Sequence, residues 1–207
     1  MKFLSKIFGS TEDKQADGRT AFHPSKSCPE CGTKLAAWDE DGAWHCPNLD
    51  CPARVREQIE HWCSPEAMNI AGADKALVAQ LVGRGLVRDV AELYSLRLAE
   101  VAGLKGRGKA FAGRLLEAVT ASKTREAWRV LHGLGIPQLD AEAAMQLGRH
   151  FAAVDDILAA GPERLVKQAG VSDAVARNIA YWYADNVNRR LVRRLQKAGV
   201  NFKTAPG

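Results

Sequence analysis

Four cysteines in two close pairs limit the possible folds of this chain more than any other feature of its sequence. Cys28 and Cys31 form a C-x2-C pair, and Cys46 and Cys51 follow 14 residues later as a C-x4-C pair. This spacing is typical of a tetrahedral zinc site, and Gly32 would allow the tight turn after the second ligand. Four protein ligands leave no open coordination position, so we expect one structural zinc ion. Four buried or redox-active cysteines remain the less favoured alternative.

The segment between the two cysteine pairs predicts a small β-hairpin. Short apolar stretches flank an acidic turn with the sequence Asp-Glu-Asp-Gly at residues 39–42. We expect the fifth cysteine, Cys63, to be a buried small hydrophobe rather than a ligand. His45 and His61 lie near the cluster in sequence, and we expect them to serve packing or to lie on the surface.

The chain after Cys63 predicts a series of packed helices. Apolar residues recur at intervals of three and four, as in Leu77 and Leu81 or in Leu115 and Val119, and short connections carry Gly or Asp. The predicted fold class is therefore mainly α: a small four-cysteine zinc finger with a short β-hairpin, followed by a helical domain. The predicted segments are a flexible tail at 1–24, the finger and a connecting helix at 25–62, the helical domain at 63–200 and a C-terminal tail at 201–207.

One helical connection has the residues of a phosphate-binding hairpin. Two glycines, Gly106 and Gly108, stand immediately before a predicted helix, where they let the backbone come close to a partner and leave the helix amides open to an anion. Four basic side chains surround them with no acid between: Lys105, Arg107, Lys109 and Arg114. Such a site would bind a nucleic-acid backbone without reading its sequence. The alternative is an ordinary corner between helices with solvated lysines.

The hairpin recurs in weaker form three more times. Related segments around Gly72, Asp140 and Gly170 each precede a predicted helix, at intervals of roughly 30 residues. An acid or a serine replaces the second glycine in these units: Asp74 in the first, Asp140 in the third and Ser172 in the fourth. Because an acid repels phosphate, we expect the second unit to bind, the fourth to contribute weakly, and the first and third to be mainly structural.

The surplus of positive charge lies at one end of the sequence. The net charge is +5, and the whole excess falls in the last 23 residues, while residues 1–184 are neutral overall. Four basic residues recur at intervals of three and four on one predicted helix face: Arg190, Arg193, Arg194 and Lys197. Such a run is usually a solvated face, but beside a phosphate-binding hairpin it indicates a second contact with a nucleic-acid backbone.

Together these motifs resemble the bacterial NAD-dependent DNA ligases. The resemblance covers about residues 28–200 and consists of the four-cysteine finger, Cys-Pro-x-Cys-Gly followed by Cys-Pro-Asn-x-x-Cys-Pro-Ala, and four helix–hairpin–helix units. It implies that the four cysteines of the finger are zinc ligands and that Gly106 and Gly108 are the glycines of the second hairpin. It also implies that both parts grip duplex DNA around a nick, mainly through the backbone and the minor groove.

The departures from that family concern catalysis. No counterpart of the nucleotidyltransferase domain, its adenylated lysine, the NAD-binding domain or the BRCT domain is found in the sequence. The nearest match to the family's K-x-D-G signature, residues 14–18, is one residue too long and lies in a polar segment. We therefore expect no enzymatic activity from this chain alone.

We expect a DNA-binding protein that grips duplex or nicked DNA without sequence specificity, in repair or replication. Two alternatives stay open: the DNA-gripping subunit of a split or partner ligase acting in trans, and a degenerate hairpin domain that binds proteins. No apolar run is long enough to span a bilayer, so we expect a cytoplasmic, nucleoid-associated bacterial protein without membrane contact.

Overall fold

A computed structural model describes residues 27–37, 44–48 and 51–204. The chain divides into two compact units, Met1–Val55 and Arg56–Gly207. The predicted tail at 1–24 and the acidic turn at 39–42 lie outside the described residues. Within the described ranges, no helix is long and apolar enough to cross a membrane.

The first unit contains a small antiparallel hairpin. Strand β1 (Ala36–Ala37) pairs with strand β2 (Trp44–His45), with Ala36 opposite His45, which confirms the predicted hairpin between the cysteine pairs. Its buried cluster consists of the cysteines and Leu35, with Ala53 packed against it. In the described part of this unit the apolar core is small, and a metal ion that joins the cysteines would stabilise it.

The described part of the second unit is mainly helical, which confirms the predicted fold class. Helix α1 (Pro52–Cys63) begins in the first unit and continues into the second. The elements that follow are α2 (Lys75–Gly83), a 3₁₀ helix (Glu92–Ser95), α3 (Leu98–Ala102), α4 (Lys109–Ser122), α5 (Ala127–Gly133), α6 (Ala141–His150), α7 (Val154–Ala159), α8 (Pro162–Ala169), α9 (Asp173–Ala184) and α10 (Asn186–Lys197).

The buried side chains follow the apolar stripes of the sequence. Leu77 and Leu81 on α2 and Leu115 and Val119 on α4 are almost fully buried, as is Ile179 on α9. Burying such side chains supplies most of the stability of a helical domain, because the helices are short and individually unstable in water. Cys63 is 6% exposed, as expected for a small core residue.

The four predicted hairpins share one backbone pattern. Each has a residue with positive φ two positions before the N-cap of its second helix: Gly72 (87°), Gly106 (72°), Gln138 (62°) and Gly170 (67°). The corresponding N-caps are Asp74, Gly108, Asp140 and Ser172, which precede α2, α4, α6 and α9. The units therefore repeat every 32 to 34 residues. Turns over 64–68 precede the first hairpin, whereas α3, α5 and α8 precede the others.

The segment after α10 forms hydrogen bonds with residues that are distant in sequence. The backbone and side-chain amides of Asn201 donate to the carbonyl oxygens of Lys123 and Arg125, at 2.8 and 3.1 Å. The carbonyl of Phe202 accepts from the Val154 amide at 2.9 Å, and the Phe202 side chain is 7% exposed. Residues 201–204, which the sequence places in the C-terminal tail, are thus packed onto the helical unit.

Candidate metal centre and nucleic-acid interface

The two cysteine pairs meet in the first unit. The Sγ atoms of Cys28 and Cys51 lie 3.6 Å apart, and those of Cys31 and Cys46 lie 3.5 Å apart. All four sulfur atoms lie within 4.8 Å of one another. A zinc ion with Zn–S bonds of about 2.3 Å places its four sulfurs about 3.8 Å apart, so this cluster fits one tetrahedral ion.

Local backbone structure holds each pair of cysteines in place. The Cys28 amide donates to the Thr33 carbonyl at 2.7 Å, and the Gly32 amide donates to the Cys28 carbonyl at 2.8 Å. Gly32 has φ +71°, which explains why a glycine follows the second cysteine. At the second pair, the Arg54 guanidinium at the start of α1 donates to the Cys46 carbonyl at 3.1 Å.

Burial and hydrogen bonding affect the four thiols differently. Burial raises the pKa of Cys46, and it raises the pKa of Cys51 to about 12. Hydrogen bonding with the side chain and the backbone of Thr33 lowers the pKa of the more exposed Cys31 to about 6. A bound divalent cation would displace the protons from the buried thiols of Cys46 and Cys51 and would hold all four sulfur atoms as thiolate ligands.

The loop of the second hairpin, residues 103–108, presents open backbone amides. In the described part of the chain, the amides of Gly106 and Gly108 have no acceptor, and Gly108 provides no side-chain cap for α4. Lys105 and Lys109 are exposed beside them. Uncapped amides at the N-terminus of a 14-residue helix, next to lysines, form a site for an anion.

In each of the other three hairpins, the N-cap side chain satisfies the amide three residues further on, whose counterpart in the second hairpin is the uncapped Phe111 amide. The carboxylates of Asp74 and Asp140 accept from the amides of Leu77 and Ala143, at 2.7 and 2.8 Å. In the fourth unit the Ser172 hydroxyl accepts from the Val175 amide at 3.3 Å. Residues that replace the second glycine therefore act as N-caps, and they occupy the amide that an anion would use.

Two side chains, one from α2 and one from its C-cap residue, support the loop of the second hairpin. The Gln80 Oε1 atom accepts from the Lys105 amide at 2.8 Å, and its Nε2 atom donates to the Lys105 carbonyl at 3.2 Å. One turn later, the Arg84 guanidinium donates to the Gly103 carbonyl at 3.0 Å. Three backbone groups of the loop are satisfied by these contacts, which leave the amides of Gly106 and Gly108 open.

Arg107 is placed differently from the lysines around it. Its guanidinium contacts the carboxylate of Asp74 and lies 4.4 Å above the ring of Phe111, and its side chain is only 17% exposed. Hydrogen bonding from Arg107 lowers the pKa of Asp74. Arg114, the fourth predicted basic contact of this hairpin, is exposed on α4.

Helix α10 presents the predicted basic face. Leu191, Val192 and Leu195 are buried, whereas the four predicted contacts are exposed: Arg190, Arg193, Arg194 and Lys197. Arg194 is engaged within the protein, because its guanidinium bonds to the Asp89 carboxylate and lies 3.5 Å from Glu92. Arg190 and Lys197 have no ion-pair partner among the described residues.

The tips of the third and fourth hairpins face each other across an acidic cavity. This shallow cavity has a volume of about 320 Å³ and is lined by Asp140 and Glu142 from one hairpin and by Gly170 and Ser172 from the other. Gly170 is exposed, but the carboxylates opposite it make this position unfavourable for a phosphate group.

Sequence reasoning missed the residues that support the hairpin loop. Gln80 and Arg84 lie 25 and 19 residues before their contacts and carry no motif of their own. Gln138 takes the place of the first glycine of the third hairpin with a φ of 62°, and no glycine indicated that turn. The four-residue spacing of Gln80 and Arg84 shows that they share a helix face, but it does not say what that face contacts.

Two family models match the chain. The model described as the NAD-dependent DNA ligase C4 zinc finger domain matches residues 27–53, which include all four clustered cysteines. The model described as the helix-hairpin-helix motif matches residues 129–192, which include the third and fourth hairpins. With the geometry of the cluster, the zinc-finger match confirms the prediction of one structural zinc ion.

Curated relatives match almost the whole chain. The DNA ligase of Koribacter versatilis is 35% identical over 201 residues, which are 97% of this chain and 30% of the relative. The DNA ligase of Rubrobacter xylanophilus is 36% identical over 95% of this chain and 28% of the relative. The DNA ligase of Methylacidiphilum infernorum is 37% identical over 96% of this chain and 29% of the relative.

The chain thus spans about 30% of the length of the curated relatives that it matches. The matched part contains the four-cysteine cluster and all four hairpins, so similarity and geometry concern the same residues. The chain therefore resembles, over nearly its whole length, the zinc-finger plus helix–hairpin–helix region of the bacterial NAD-dependent DNA ligases.

Proposed function

We propose that this chain is a DNA-binding protein that grips duplex or nicked DNA through the phosphate backbone, without sequence specificity, in repair or replication. The observation that carries the proposal is the uncapped N-terminus of α4. Three of the four hairpins satisfy one amide at the helix N-terminus with the side chain of Asp74, Asp140 or Ser172, whereas the second hairpin has no capping side chain and places exposed lysines there. A DNA phosphate supplies the missing acceptor and the missing negative charge.

Residue roles follow from these environments. The amides near Gly106 and Gly108 bind phosphate oxygens, and Lys105, Lys109 and Arg114 supply charge around them. Arg190, Arg193 and Lys197 provide a second positive patch on α10. Such contacts fix the position of a duplex but read no bases, which is why we propose binding without sequence specificity. Gly170 contributes little, because its neighbours across the cavity are acidic.

In the zinc finger, we propose that Cys28, Cys31, Cys46 and Cys51 are the four ligands of the structural ion. Zinc, when bound, supplies positive charge and a fixed tetrahedral arrangement that joins the two cysteine pairs. Thr33 and Arg54 hold the backbone at either side of the cluster. Cys63 takes no part, because it is buried in the helical unit.

The substitution Gly108→Asp tests the phosphate site. Gly108 has φ −117° and a Cβ atom placed on it meets nothing within 4 Å, so an aspartate fits without strain. It would cap α4 as Asp74 caps α2 and would repel phosphate. We expect the affinity for a nicked duplex to fall at least tenfold, which is about 1.4 kcal/mol of binding free energy. Thermal stability should stay unchanged or rise, because aspartate is a favourable N-cap.

Gly161→Asp is the matched control. Gly161 is the uncapped N-cap of α8, and the space around its Cβ position is also open. The change in net charge and the type of cap are the same, so this variant should bind DNA nearly as the parent does. Fluorescence anisotropy at several salt concentrations measures both variants. With about four to six phosphates engaged, log affinity should fall with log salt at a slope of about −4 to −5. A flat salt response, or equal binding by G108D and its parent, contradicts the proposal.

A second proposal concerns ligation in trans. The relatives are named DNA ligases, and the chain matches about 30% of their length. We propose that this chain seals no nick by itself and that it holds DNA for a ligase or another repair enzyme in the cytoplasm, on the nucleoid. A sealing assay with NAD and magnesium should show no product from this chain alone. Faster sealing by a ligase catalytic fragment in its presence, lost in G108D, supports the role in trans.

A further inference from the structure

The second hairpin is held from outside by a single helix, and this support is the basis of the inference. The Gln80 side-chain amide makes two hydrogen bonds with the backbone of Lys105. It accepts from the Lys105 amide at 2.8 Å and donates to the Lys105 carbonyl at 3.2 Å. Arg84 fixes the carbonyl of Gly103 at 3.0 Å. Gln80 lies on α2, the second helix of the first hairpin, and Arg84 is the C-cap residue of that helix.

These contacts determine which amides of the loop are free. The Lys105 amide is satisfied by Gln80, and the Arg107 amide donates to the Leu104 carbonyl at 3.1 Å. The amides that remain open in the described structure of this loop are those of Gly106 and Gly108. Gly106, at φ +72°, comes directly after the residue that Gln80 holds. The pairing at Lys105 therefore fixes the backbone immediately before the left-handed turn.

The first hairpin supplies this support, but the N-terminus of its own helix is already capped. The Asp74 carboxylate accepts from the Leu77 amide, so that amide and the acidic side chain beside it do not favour an anion. The helix nevertheless directs Gln80 and Arg84, one turn apart, at the neighbouring loop. The first hairpin thus has a use that is independent of direct contact with DNA.

We propose that Gln80 is a positioning residue for phosphate binding by the second hairpin, with Arg84 in a supporting role. This inference rests on the proposed function. Gln80 touches no phosphate. It keeps the loop in the one conformation that directs the amides of Gly106 and Gly108 outward, so a phosphate group binds without first ordering the loop.

The test is a double-mutant cycle with Gln80→Ala and Gly108→Asp, measured on a nicked duplex of arbitrary sequence. In the parent background, Q80A should lower affinity about five- to tenfold, since one or two loop residues must then be ordered on binding. In the G108D background the loop no longer holds a phosphate, so Q80A should change the residual affinity less than about twofold. The salt slope should become shallower in Q80A but should not change further when Q80A is added to G108D.

Gln168→Ala is the matched control. Gln168 also donates through Nε2 to a backbone carbonyl, that of His150 at 2.9 Å, but it lies on α8. It should leave DNA affinity nearly unchanged. Amide hydrogen exchange gives a second readout: exchange at Lys105 and Arg107 should accelerate in Q80A, whereas exchange in the core of α4 should stay slow.

The outcomes separate the two claims. If G108D binds as tightly as its parent, phosphate binding at this hairpin is wrong, and the role of Gln80 is overturned with it. If G108D weakens binding and Q80A does not, the role of Gln80 alone is wrong. An equal loss from Q80A in both backgrounds also overturns it, because the effect would then come from the fold as a whole. General destabilisation would show as a matching loss of thermal stability and faster exchange throughout α4.

Discussion

Arg107 and Asp74 form an ion pair that joins the second hairpin to the first, with one guanidinium nitrogen in contact with both carboxylate oxygens. The Nη2 atom of Arg107 lies 2.7 and 2.8 Å from the two carboxylate oxygens of Asp74. Asp74 also caps α2 through the amide of Leu77. The Asp74 carboxylate of the first hairpin thus binds Arg107 at the tip of the second hairpin. This ion pair reduces the positive charge that the tip presents to a ligand.

The substitution Asp74→Asn should therefore increase DNA affinity. Asparagine keeps the N-cap of α2 but removes the negative charge, so Arg107 becomes available for a phosphate. We expect the salt slope to become steeper by about one unit. Thermal stability should fall by no more than about 1 kcal/mol, because Asp74 is 55% exposed and solvent weakens the pair. A drop in affinity in D74N would show instead that the ion pair helps binding.

Two arginines of α10 should respond differently to alanine substitution. Arg194 is held by Asp89 and Glu92, so Arg194→Ala should lower stability by about 1 kcal/mol and change DNA affinity little. Arg190 is exposed and has no ion-pair partner in the described structure. Arg190→Ala should lower DNA affinity about fivefold at low salt without loss of stability. Chemical denaturation and anisotropy titrations of both variants measure the two effects, and similar profiles for the two would exclude this division of roles.

Removal of zinc should unfold the first unit and leave most of the helical unit intact. Each serine substitution of a clustered cysteine, for example Cys46→Ser, should reduce bound zinc well below one equivalent per chain. Cys63→Ala is the control and should keep one equivalent, because Cys63 lies outside the cluster. Metal analysis after dialysis, with circular dichroism before and after a chelator, provides the measurement. Loss of zinc in C63A, or full retention in C46S, would contradict the ligand set.

Stability should fall on acidification because of His132. Burial, with the neighbouring His61, lowers the pKa of His132. The rings of the two histidines lie 4.8 Å apart, and His132 Nδ1 lies 3.3 Å from the Leu139 carbonyl. A lowered folded-state pKa means that the unfolded chain takes up the proton more readily. The contribution of neutral His132 to the free energy of unfolding is therefore fully present above the pKa of the unfolded chain, about 6.5. It is lost as the pH falls through the lower pKa of the folded protein.

His132→Asn tests this contribution, since asparagine can still donate to the Leu139 carbonyl but does not titrate. The variant should show a smaller decrease in melting temperature than the parent between neutral and mildly acidic pH. Because acid also releases zinc from both proteins, the relevant quantity is the difference between them at each pH. Parallel curves would mean that another group causes the acid sensitivity.

Local patterns in the sequence were sufficient for the zinc cluster, the helical fold class and the basic face of α10. Each depends on residues close together in the chain: thiols at fixed spacing, or side chains three and four apart on one helix. The repeat of four hairpins was also visible, although Gln138 concealed the third turn, because a glutamine with positive φ has no sequence signature.

Contacts between separate elements were beyond those patterns. Gln80 meets Lys105 across 25 residues, and Asp74 meets Arg107 across 33. Whether a polar side chain reaches such a partner depends on how two hairpins pack, which neither periodicity nor composition determines. For that reason Arg107 was predicted as a DNA contact on equal terms with Lys105, and only the structure distinguishes their surroundings.

The hydrogen bonds of Asn201 and Phe202 have a consequence for biosynthesis. Asn201 forms hydrogen bonds with Lys123 and Arg125, and Phe202 forms one with Val154. The partners of these two residues therefore lie up to 78 positions earlier in the chain. A nascent chain cannot make these bonds until this segment has emerged from the ribosome exit tunnel. Until then, the residues after α4 and the first residue of α7 lack these partners, so the helical unit can complete its fold only after this segment has been synthesised.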